Sequence, residues 1–288
     1  MGSCQLANLA LIHPRLFTTL ILLDPVIQTP PTTEPKSLAG AFGPARSSTF
    51  RRDIWPSRKD AIASFQKSPY YQAWDKRVFD AWCKYGLRDI PTALYPASTS
   101  VYPNLSSTSS EPAVTLTCTK ANEVHTFLRQ VSSAEKTYDF DTSNFSTSQA
   151  QTIHFYRHEI GEVFSRLPAL RPSVLYIFGE TSPMSSPAAQ AAKLDRTGTG
   201  MGGSGGVQKG RVSKAVLRKI GHLVAMEDPM ACAKEAAKWI APELESWKGE
   251  MKAYQKWSGR SQAEKTGISE EWKTLIGRPP KKVAESKL

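Results

Sequence analysis

The apolar residues of the chain gather in three short runs that predict strands, each beside a segment of helical spacing. The first run, LFTTLILLDPV, follows a leucine-rich helix over residues 3–16 that breaks at HPR. The second run, VLYIFG, holds five large residues in succession, as expected of a parallel strand buried on both faces. The third run is GRVSKAVLRKIG, and a long helix over about 229–257 follows it. This alternation of strands and helices predicts an α/β fold with a parallel sheet.

The middle of the chain interrupts this alternation and predicts a lid. Residues 28–48, 98–112 and 131–151 are rich in Pro, Gly, Ser or other polar residues and predict connectors, whereas residues 54–88 are helical and aromatic. Large insertions near the strand ends of an α/β sheet usually cover a ligand site. We therefore expect an apolar substrate surface built from the aromatic side chains of this lid, with the core of the lid itself as the alternative role at this helical spacing; these residues are Trp55, Phe65, Trp74, Phe79 and Trp82.

Composition narrows the classes of function. The 288 residues are 40% hydrophobic, enough for a real core, and no run approaches the ~20 apolar residues of a membrane span. The four cysteines form neither a CxxC pair nor a Cys/His cluster, so we expect no metal, and no motif indicates a cofactor. The net charge is +11, but the basic residues are interspersed with acidic ones along the chain. This distribution favours a solvated surface over nucleic-acid binding. The glycine-rich residues 198–206 lack a phosphate-binding fingerprint and predict a flexible connector.

The last three residues of the sequence match a targeting signal. Ser286, Lys287 and Leu288 form the Ser-Lys-Leu tripeptide that directs proteins to peroxisomes. The signal needs an exposed tail, and the preceding GRPPKK is rich in proline and lysine. We therefore expect residues 259–288 to be a tail, the localisation to be the peroxisome, and one partner to be the peroxisomal import receptor.

One histidine stands where a general base would be held. His222 follows the third predicted strand directly behind Gly221, and an acidic residue and a proline then open the long helix. A histidine at the carboxyl end of a strand has a rigid support for proton transfer. The sequence therefore predicts His222 as a catalytic base.

Three segments together resemble the α/β-hydrolases. GHLVAMEDP is similar to their histidine loop, VLYIFGETSP to the strand and turn that often carry their acid, and the first 26 residues to the helix and strand after their nucleophile elbow. The insertion, the glycine loop and the terminal tripeptide resemble fungal peroxisomal abhydrolase-domain proteins of the AK-toxin type. The resemblance implies a partial α/β-hydrolase sheet, with 1–27 and 165–258 as core and 28–164 as helical lid. It also implies an ester or acyl hydrolase of secondary metabolism that acts on an apolar acyl or ester small molecule.

The resemblance also implies roles for single residues. In the elbow pattern, small-x-Ser-x-Gly, the amide after the serine helps to form the oxyanion hole. Aligning the opening Met-Gly with x-Gly places the serine directly before Met1 and gives the Met1 amide to the oxyanion hole. The sequence would then start late or represent a shortened paralogue. Ser3 and Cys4 remain alternative nucleophiles, and a non-catalytic paralogue or binding protein remains an alternative function.

Two carboxylates compete for the role of the catalytic acid. The usual family position follows VLYIFG, where Ser182 is aligned and Glu180 is the nearest carboxylate. A variant arrangement places the acid after the preceding strand, which is Asp24. Both strand ends lie at the carboxyl edge of a parallel sheet and can face His222. We favour Asp24, keep Glu180 as the alternative, and note that Asp24 could instead only cap the turn before Pro25.

Overall fold

The structure is a computed structural model that describes residues 2–28, 39–96, 111–130, 155–157 and 159–279. Its contacts divide the chain into two compact units, residues 1–239 and residues 240–288. The helices and strands of the described residues, in chain order, are α1 (Gly2–Ile12), β1 (Thr19–Leu23), α2 (Ala39–Phe50), β2 (Ile54–Trp55), α3 (Arg58–Gln66), α4 (Pro69–Gln72), α5 (Lys76–Tyr85), β3 (Leu87–Asp89), β4 (Val114–Leu116), α6 (Lys120–Phe127), β5 (Arg129–Gln130), β6 (Phe155–Tyr156), α7 (Glu159–Arg166), β7 (Ser173–Gly179), α8 (Pro187–Arg196), β8 (Val212–Leu217), α9 (Val224–Glu227), α10 (Pro229–Ser258), α11 (Gln262–Thr266) and α12 (Glu270–Ile276).

The central sheet of the first unit is parallel, in the order β1-β7-β8. Leu22 of β1 lies beside Tyr176 of β7, and Ile177 of β7 lies beside Ala215 of β8. Every residue of β7 is buried because this strand lies between two neighbours and is covered on both faces. The α/β class and the three strands read from the apolar runs are confirmed.

Helices cover this sheet on both faces, and each face has its own apolar layer. On one face, α1 and α7 pack on residues such as Leu22 and Tyr176, with Phe178 stacked on the Tyr176 ring at 5.5 Å between centroids. On the other face, Leu175, Ile177 and Val224 pack against the start of α10. Alternate residues of one strand therefore serve opposite layers, as the strand period of two requires. The two layers fix the carboxyl edge of the sheet from both sides.

The lid contains more strand than the sequence predicts. In residues 54–88, expected to be helical, β2 and β3 flank the helices, and both pair with β4 in a small antiparallel sheet. Strands of two or three residues are too short to show a period of two, which explains why the pattern missed them. We call the described residues 39–96 and 111–130 the cap.

The glycine loop is not the flexible connector that its composition predicts. The amides of Gly198 and Gly200 donate to the carbonyls of Leu167 and Pro168, at 2.9 Å each. A side chain at Gly203 would lie 2.4 Å from the Pro168 carbonyl oxygen, so glycine is needed for this close approach. Because carbonyl groups already accept these amides, the loop is also a poor anion cradle.

The second unit consists of the rest of α10 from Ile240, followed by α11 and α12. The expected tail therefore contains two helices, and both begin at capping serines. Ser261 and Glu264 form a reciprocal capping box on α11, and the Ser269 hydroxyl accepts from an amide of α12. Among the described residues, no helix combines the length and apolar character needed to cross a membrane.

Candidate functional site

Asp24 and His222 meet at the carboxyl edge of the parallel sheet. The Nδ1 atom of His222 lies 2.5 Å from Oδ2 of Asp24, although 198 positions separate them in the chain. The Asp24 side chain is fully buried, whereas 39% of the His222 side chain is exposed. With Nδ1 on the carboxylate, Nε2 is the ring nitrogen left to exchange protons with a substrate. An imidazole held in this way by a buried carboxylate has the geometry that the acid and base of a hydrolytic triad require.

Four donors hold the Asp24 carboxylate. Besides His222, the Ser182 hydroxyl donates to Oδ2 at 2.5 Å, the Gly179 amide to Oδ1 at 3.2 Å, and the Ser185 hydroxyl makes a short bond to Oδ1. Burial favours the neutral acid, but the bonds from His222 and the two serines outweigh it, so the pKa of Asp24 lies below its usual value. The carboxylate therefore stays ionised and holds the imidazole in one orientation.

The backbone at two strand ends makes this meeting possible. Asp24 adopts φ 39°, in the left-handed region that aspartate tolerates better than most residues, while its amide donates to the Ile177 carbonyl at 2.7 Å. At the end of β7, a side chain on Gly179 would lie 2.0 Å from the Gly221 carbonyl oxygen. Glycine is therefore required where the histidine loop crosses the strand end.

Ser182 and Ser185 are the site residues that sequence reasoning missed as partners of the acid. Ser182 occupies the position where the family often carries its acid, and here its hydroxyl donates to the acid on the neighbouring strand. A signal existed, because a serine aligned with the usual acid position implies that the carboxylate comes from elsewhere. Ser185 gave no such signal, because its role depends on the turn between β7 and α8.

Glu180, the alternative acid, accepts a hydrogen bond from the backbone. It is exposed, and its Oε2 accepts the Lys219 amide at 2.8 Å. Lys219 has φ 60°, so this bond helps to hold a strained turn between β8 and the histidine loop. The structure thus brings Asp24 to His222 and places the Glu180 carboxylate on the turn.

The first turn of α1 lies at the same edge of the sheet. The Ser3 hydroxyl donates to the Leu23 carbonyl, the residue before Asp24, at 3.4 Å. Cys4 is fully buried with its sulfur 3.7 Å from the Glu159 carbonyl, and burial raises the pKa of its thiol. A buried, protonated thiol is a poor nucleophile, and the Ser3 hydroxyl is engaged by a backbone carbonyl.

The aromatic residues of the predicted substrate lid pack mainly on one another. Trp55 and Phe65 are 2% and 4% exposed, and their rings meet edge to face at 5.3 Å between centroids. Phe79 and Trp82 pack against these two rings and their neighbours, and the ring centroids of Trp74 and Trp82 are 5.8 Å apart. The expectation of a substrate surface is therefore wrong for the two buried rings, because the cap needs them as its own core. A cavity of about 610 Å³ in the cap has other walls, among them Arg58, Ile62 and Val114.

Other predicted site residues lie outside the described part of the chain. Met1, the expected oxyanion donor, and the targeting residues Ser286, Lys287 and Leu288 belong to this group. Within the described ranges, no group of three or more His, Cys, Asp or Glu side chains is close enough to hold a metal ion.

Comparison with known proteins relates the fold of this chain to a solved structure. The structure superposes on the peroxisomal α/β-hydrolase Lpx1 from Saccharomyces cerevisiae with a TM-score of 0.51 and 12% identity, covering 95% of this chain and 57% of that one. No family model matches the sequence. The chain is an α/β-hydrolase-fold protein, homologous to fungal abhydrolase-domain proteins.

Two curated relatives make the comparison more specific. The type I acyl-CoA thioesterase mpaH of Penicillium roqueforti is 34% identical over 264 residues, which are 86% of this chain and 58% of that protein. The abhydrolase domain-containing protein AFT2-1 of Alternaria alternata is 27% identical over 278 residues, which are 94% and 93% of the two chains. The chain thus spans less than two thirds of the thioesterase and nearly the full length of the Alternaria protein.

Proposed function

We propose that this chain supplies the acid and base of an acyl hydrolase that cleaves an ester or thioester of an apolar small molecule in fungal secondary metabolism. The observation that carries the proposal is the 2.5 Å contact between His222 Nδ1 and the buried Asp24 carboxylate. The similarity to a protein named as an acyl-CoA thioesterase supports an acyl substrate. The resemblance to abhydrolase-domain proteins of the AK-toxin type supports the metabolic setting.

The nucleophile in this proposal is the serine that the elbow pattern places directly before Met1, outside the 288 residues of this sequence. Ser3 bonds to the carbonyl before Asp24, so a residue just before α1 would lie at the same edge of the sheet as His222. The serine oxygen would attack the acyl carbon while His222 Nε2 takes its proton, and Asp24 would stabilise the imidazolium. His222 then returns the proton to the leaving oxygen or sulfur. Water repeats the sequence and releases the acid.

The proposed import signal is a separate part of the function. Ser286, Lys287 and Leu288 would direct the protein to peroxisomes through the import receptor. A fluorescent protein carrying residues 259–288 at its carboxyl end should enter peroxisomes in a filamentous fungus. The same fusion without the last three residues should stay in the cytosol, and punctate import of the shortened fusion would contradict the proposal.

Hydrolysis is tested with p-nitrophenyl acyl esters and acyl-CoA thioesters. The 288-residue chain is compared with a version extended at its amino end through the upstream reading frame, each with and without His222→Ala. The proposal expects turnover by the extended protein that His222→Ala abolishes. Turnover that survives His222→Ala would contradict the assigned base. Histidine-dependent turnover by the 288-residue chain would instead move the nucleophile to Ser3 or Cys4.

If both folded proteins are silent on every ester and thioester, the non-catalytic or binding alternative is favoured. The binding alternative can be tested separately, because a binding protein should still retain an apolar acyl ligand. Equilibrium dialysis with a radiolabelled fatty acyl ester would detect such retention, with His222→Ala as the matched variant. Binding that His222→Ala leaves unchanged supports the binding alternative over the hydrolase.

A further inference from the structure

The loop that carries His222 is anchored by one carboxylate on both sides of the histidine. Oε2 of Glu227 accepts the Gly221 amide at 2.7 Å, and Oε1 accepts the Leu223 amide at 3.3 Å. These are the two residues that flank His222. A charged acceptor makes such bonds stronger than neutral ones, and both oxygens of a single side chain are engaged.

Packing at Gly221 shows how closely this anchor fits. A side chain at Gly221 would lie 2.8 Å from Glu227 Oε1. The carbonyl oxygen of Gly221 in turn occupies the space that a side chain on Gly179, at the end of β7, would need. The loop is thus confined between the strand end on one side and the carboxylate on the other. A larger residue at Gly221 would therefore displace the Glu227 carboxylate.

The anchor itself is tied to the cap. Glu227 is the last residue of α9, and the carbonyl of its neighbour Met226 accepts the amide of Asp75, the cap residue that begins α5, at 2.8 Å. The short helix α9 therefore touches the histidine loop through a side chain and the cap through a backbone carbonyl. One short helix thus connects the cap with the backbone on both sides of His222.

From these contacts we propose that Glu227 is a positioning residue, which fixes the backbone around His222 so that Nδ1 stays on Asp24; this inference rests on the proposed function of the pair. Glu227 does not touch the reacting atoms, so it acts through His222. Catalytic geometry is sensitive to such support, since a displacement of about 1 Å can cost a hundredfold in rate. Loss of the Glu227 carboxylate would leave the Gly221 and Leu223 amides without this acceptor and would free the loop to move.

The first experiment needs no turnover. In the 288-residue protein at acidic pH, the Nδ1 proton shared with Asp24 should give a far-downfield proton resonance, assigned by its absence in His222→Ala. Glu227→Gln keeps the volume but can accept only one amide, and Glu227→Ala accepts neither. We expect the resonance to move upfield and broaden in the order Gln, then Ala. Glu235→Gln, a surface variant on α10, should leave it in place.

An unchanged resonance in folded Glu227→Gln, with the melting temperature also unchanged, would overturn the inference. If Glu227→Ala does not fold, Glu227→Gln alone decides. In the extended, active protein, the inference expects kcat to fall about tenfold for Gln and about a hundredfold for Ala with KM nearly constant. A change in KM alone would contradict a positioning role. If no version hydrolyses any substrate, the proposed function fails while the resonance still tests the anchor.

Discussion

The buried carboxylate of the core and the buried indoles of the cap differ in their hydrogen bonding. In the core, the buried Asp24 carboxylate accepts four hydrogen bonds, from two hydroxyls, one amide and one imidazole. In the cap, the indole Nε1–H groups of Trp55, Trp74 and Trp82 are buried, and among the described residues none has an acceptor. The core thus holds a buried carboxylate with hydrogen bonds, whereas the aromatic cluster of the cap contains buried N–H donors that have no acceptor among the described residues.

The difference shows where geometry is fixed and where it is only packed. A carboxylate with every lone pair occupied cannot rotate without breaking a bond, which is the preorganisation that acid–base chemistry requires. Aromatic rings at 5 to 6 Å between centroids, such as Phe65 and Trp55, gain their stability from burial and ring contacts that many arrangements supply. The two regions should therefore respond differently to the loss of a polar group.

The largest expected effect on stability is in the core. Ser185→Ala removes one donor from the buried Asp24 carboxylate, so its free energy of unfolding should fall by about 1.5–3 kcal/mol, the range for hydrogen bonds to charged groups. Urea unfolding followed by circular dichroism measures this. Ser186→Ala, at the neighbouring N-cap of α8, is the matched control and should cost about 1 kcal/mol. A Ser185→Ala protein as stable as the unmodified chain would show that the carboxylate is not held as described.

The corresponding change in the cap should cost less. Trp82→Phe removes a buried donor that has no acceptor among the described residues while keeping an aromatic ring in the cluster. We expect the free energy of unfolding to change by less than about 1 kcal/mol, because the lost ring volume is offset by removal of an unpaired N–H. The same unfolding assay measures it. A loss larger than that of Ser185→Ala would erase the contrast between the two regions.

Acid and salt separate the two regions further. The folded pKa of Asp24 is lowered, so its stabilising contribution is present above the unfolded value of about 3.9 and is lost as pH falls through the folded value. In the cap, hydrogen bonds from Arg77 lower the pKa of the partly exposed Asp75 to about 2, so its contribution is likewise lost as pH falls. Added salt should weaken the Asp75 contribution and spare that of the buried Asp24.

Thermal melts over acidic pH at low and high salt measure this, with Asp24→Asn and Asp75→Asn as the matched pair. Asp24→Asn should flatten the acid dependence of the melting temperature at both salt concentrations. Asp75→Asn should change it mainly at low salt. Equal sensitivity of both variants to salt would contradict the assigned environments.

The smallest expected effect is on the cap surface. Lys76 and Asp80 form an exposed ion pair one helical turn apart, with 2.6 Å between Nζ and Oδ2. Such pairs contribute about 0.3–0.5 kcal/mol, so Asp80→Asn should barely move the urea midpoint. A loss above about 1 kcal/mol would mean that the cap depends on this helix more than its packing shows.

Sequence patterns predicted the core far better than the cap. The five large residues of VLYIFG identify β7 because a strand buried on both faces needs an uninterrupted apolar run. The parallel sheet then brings Asp24 and His222 to one edge, so their proximity followed from topology. In the cap, the residues of β2 and β3 pair over two or three positions each, and such pairing depends on tertiary contacts that no local pattern records.

The hydrogen bonds of the supporting residues could not be predicted from the sequence for a related reason, although the serine at position 182 did indicate that the acid comes from elsewhere. Ser182 and Ser185 meet Asp24 across 158 and 161 positions, and serine is common in turns without any such role. Glu227 carries no role in the sequence pattern, and only the folded loop shows its bonds to both sides of His222. Chemistry-bearing residues at strand ends are predictable, whereas the residues that hold them depend on loop geometry.

The central claim is that Asp24, and not Glu180, orients His222. Its most direct test compares kcat for ester hydrolysis between Asp24→Asn and Glu180→Gln in the extended protein. Asn keeps the shape of Asp24 but cannot stabilise the imidazolium, so we predict a loss of about 10⁴ in kcat. Glu180→Gln should leave kcat nearly unchanged, because the glutamine oxygen can still accept the single Lys219 amide. A large loss with Glu180→Gln and full activity with Asp24→Asn would contradict the account.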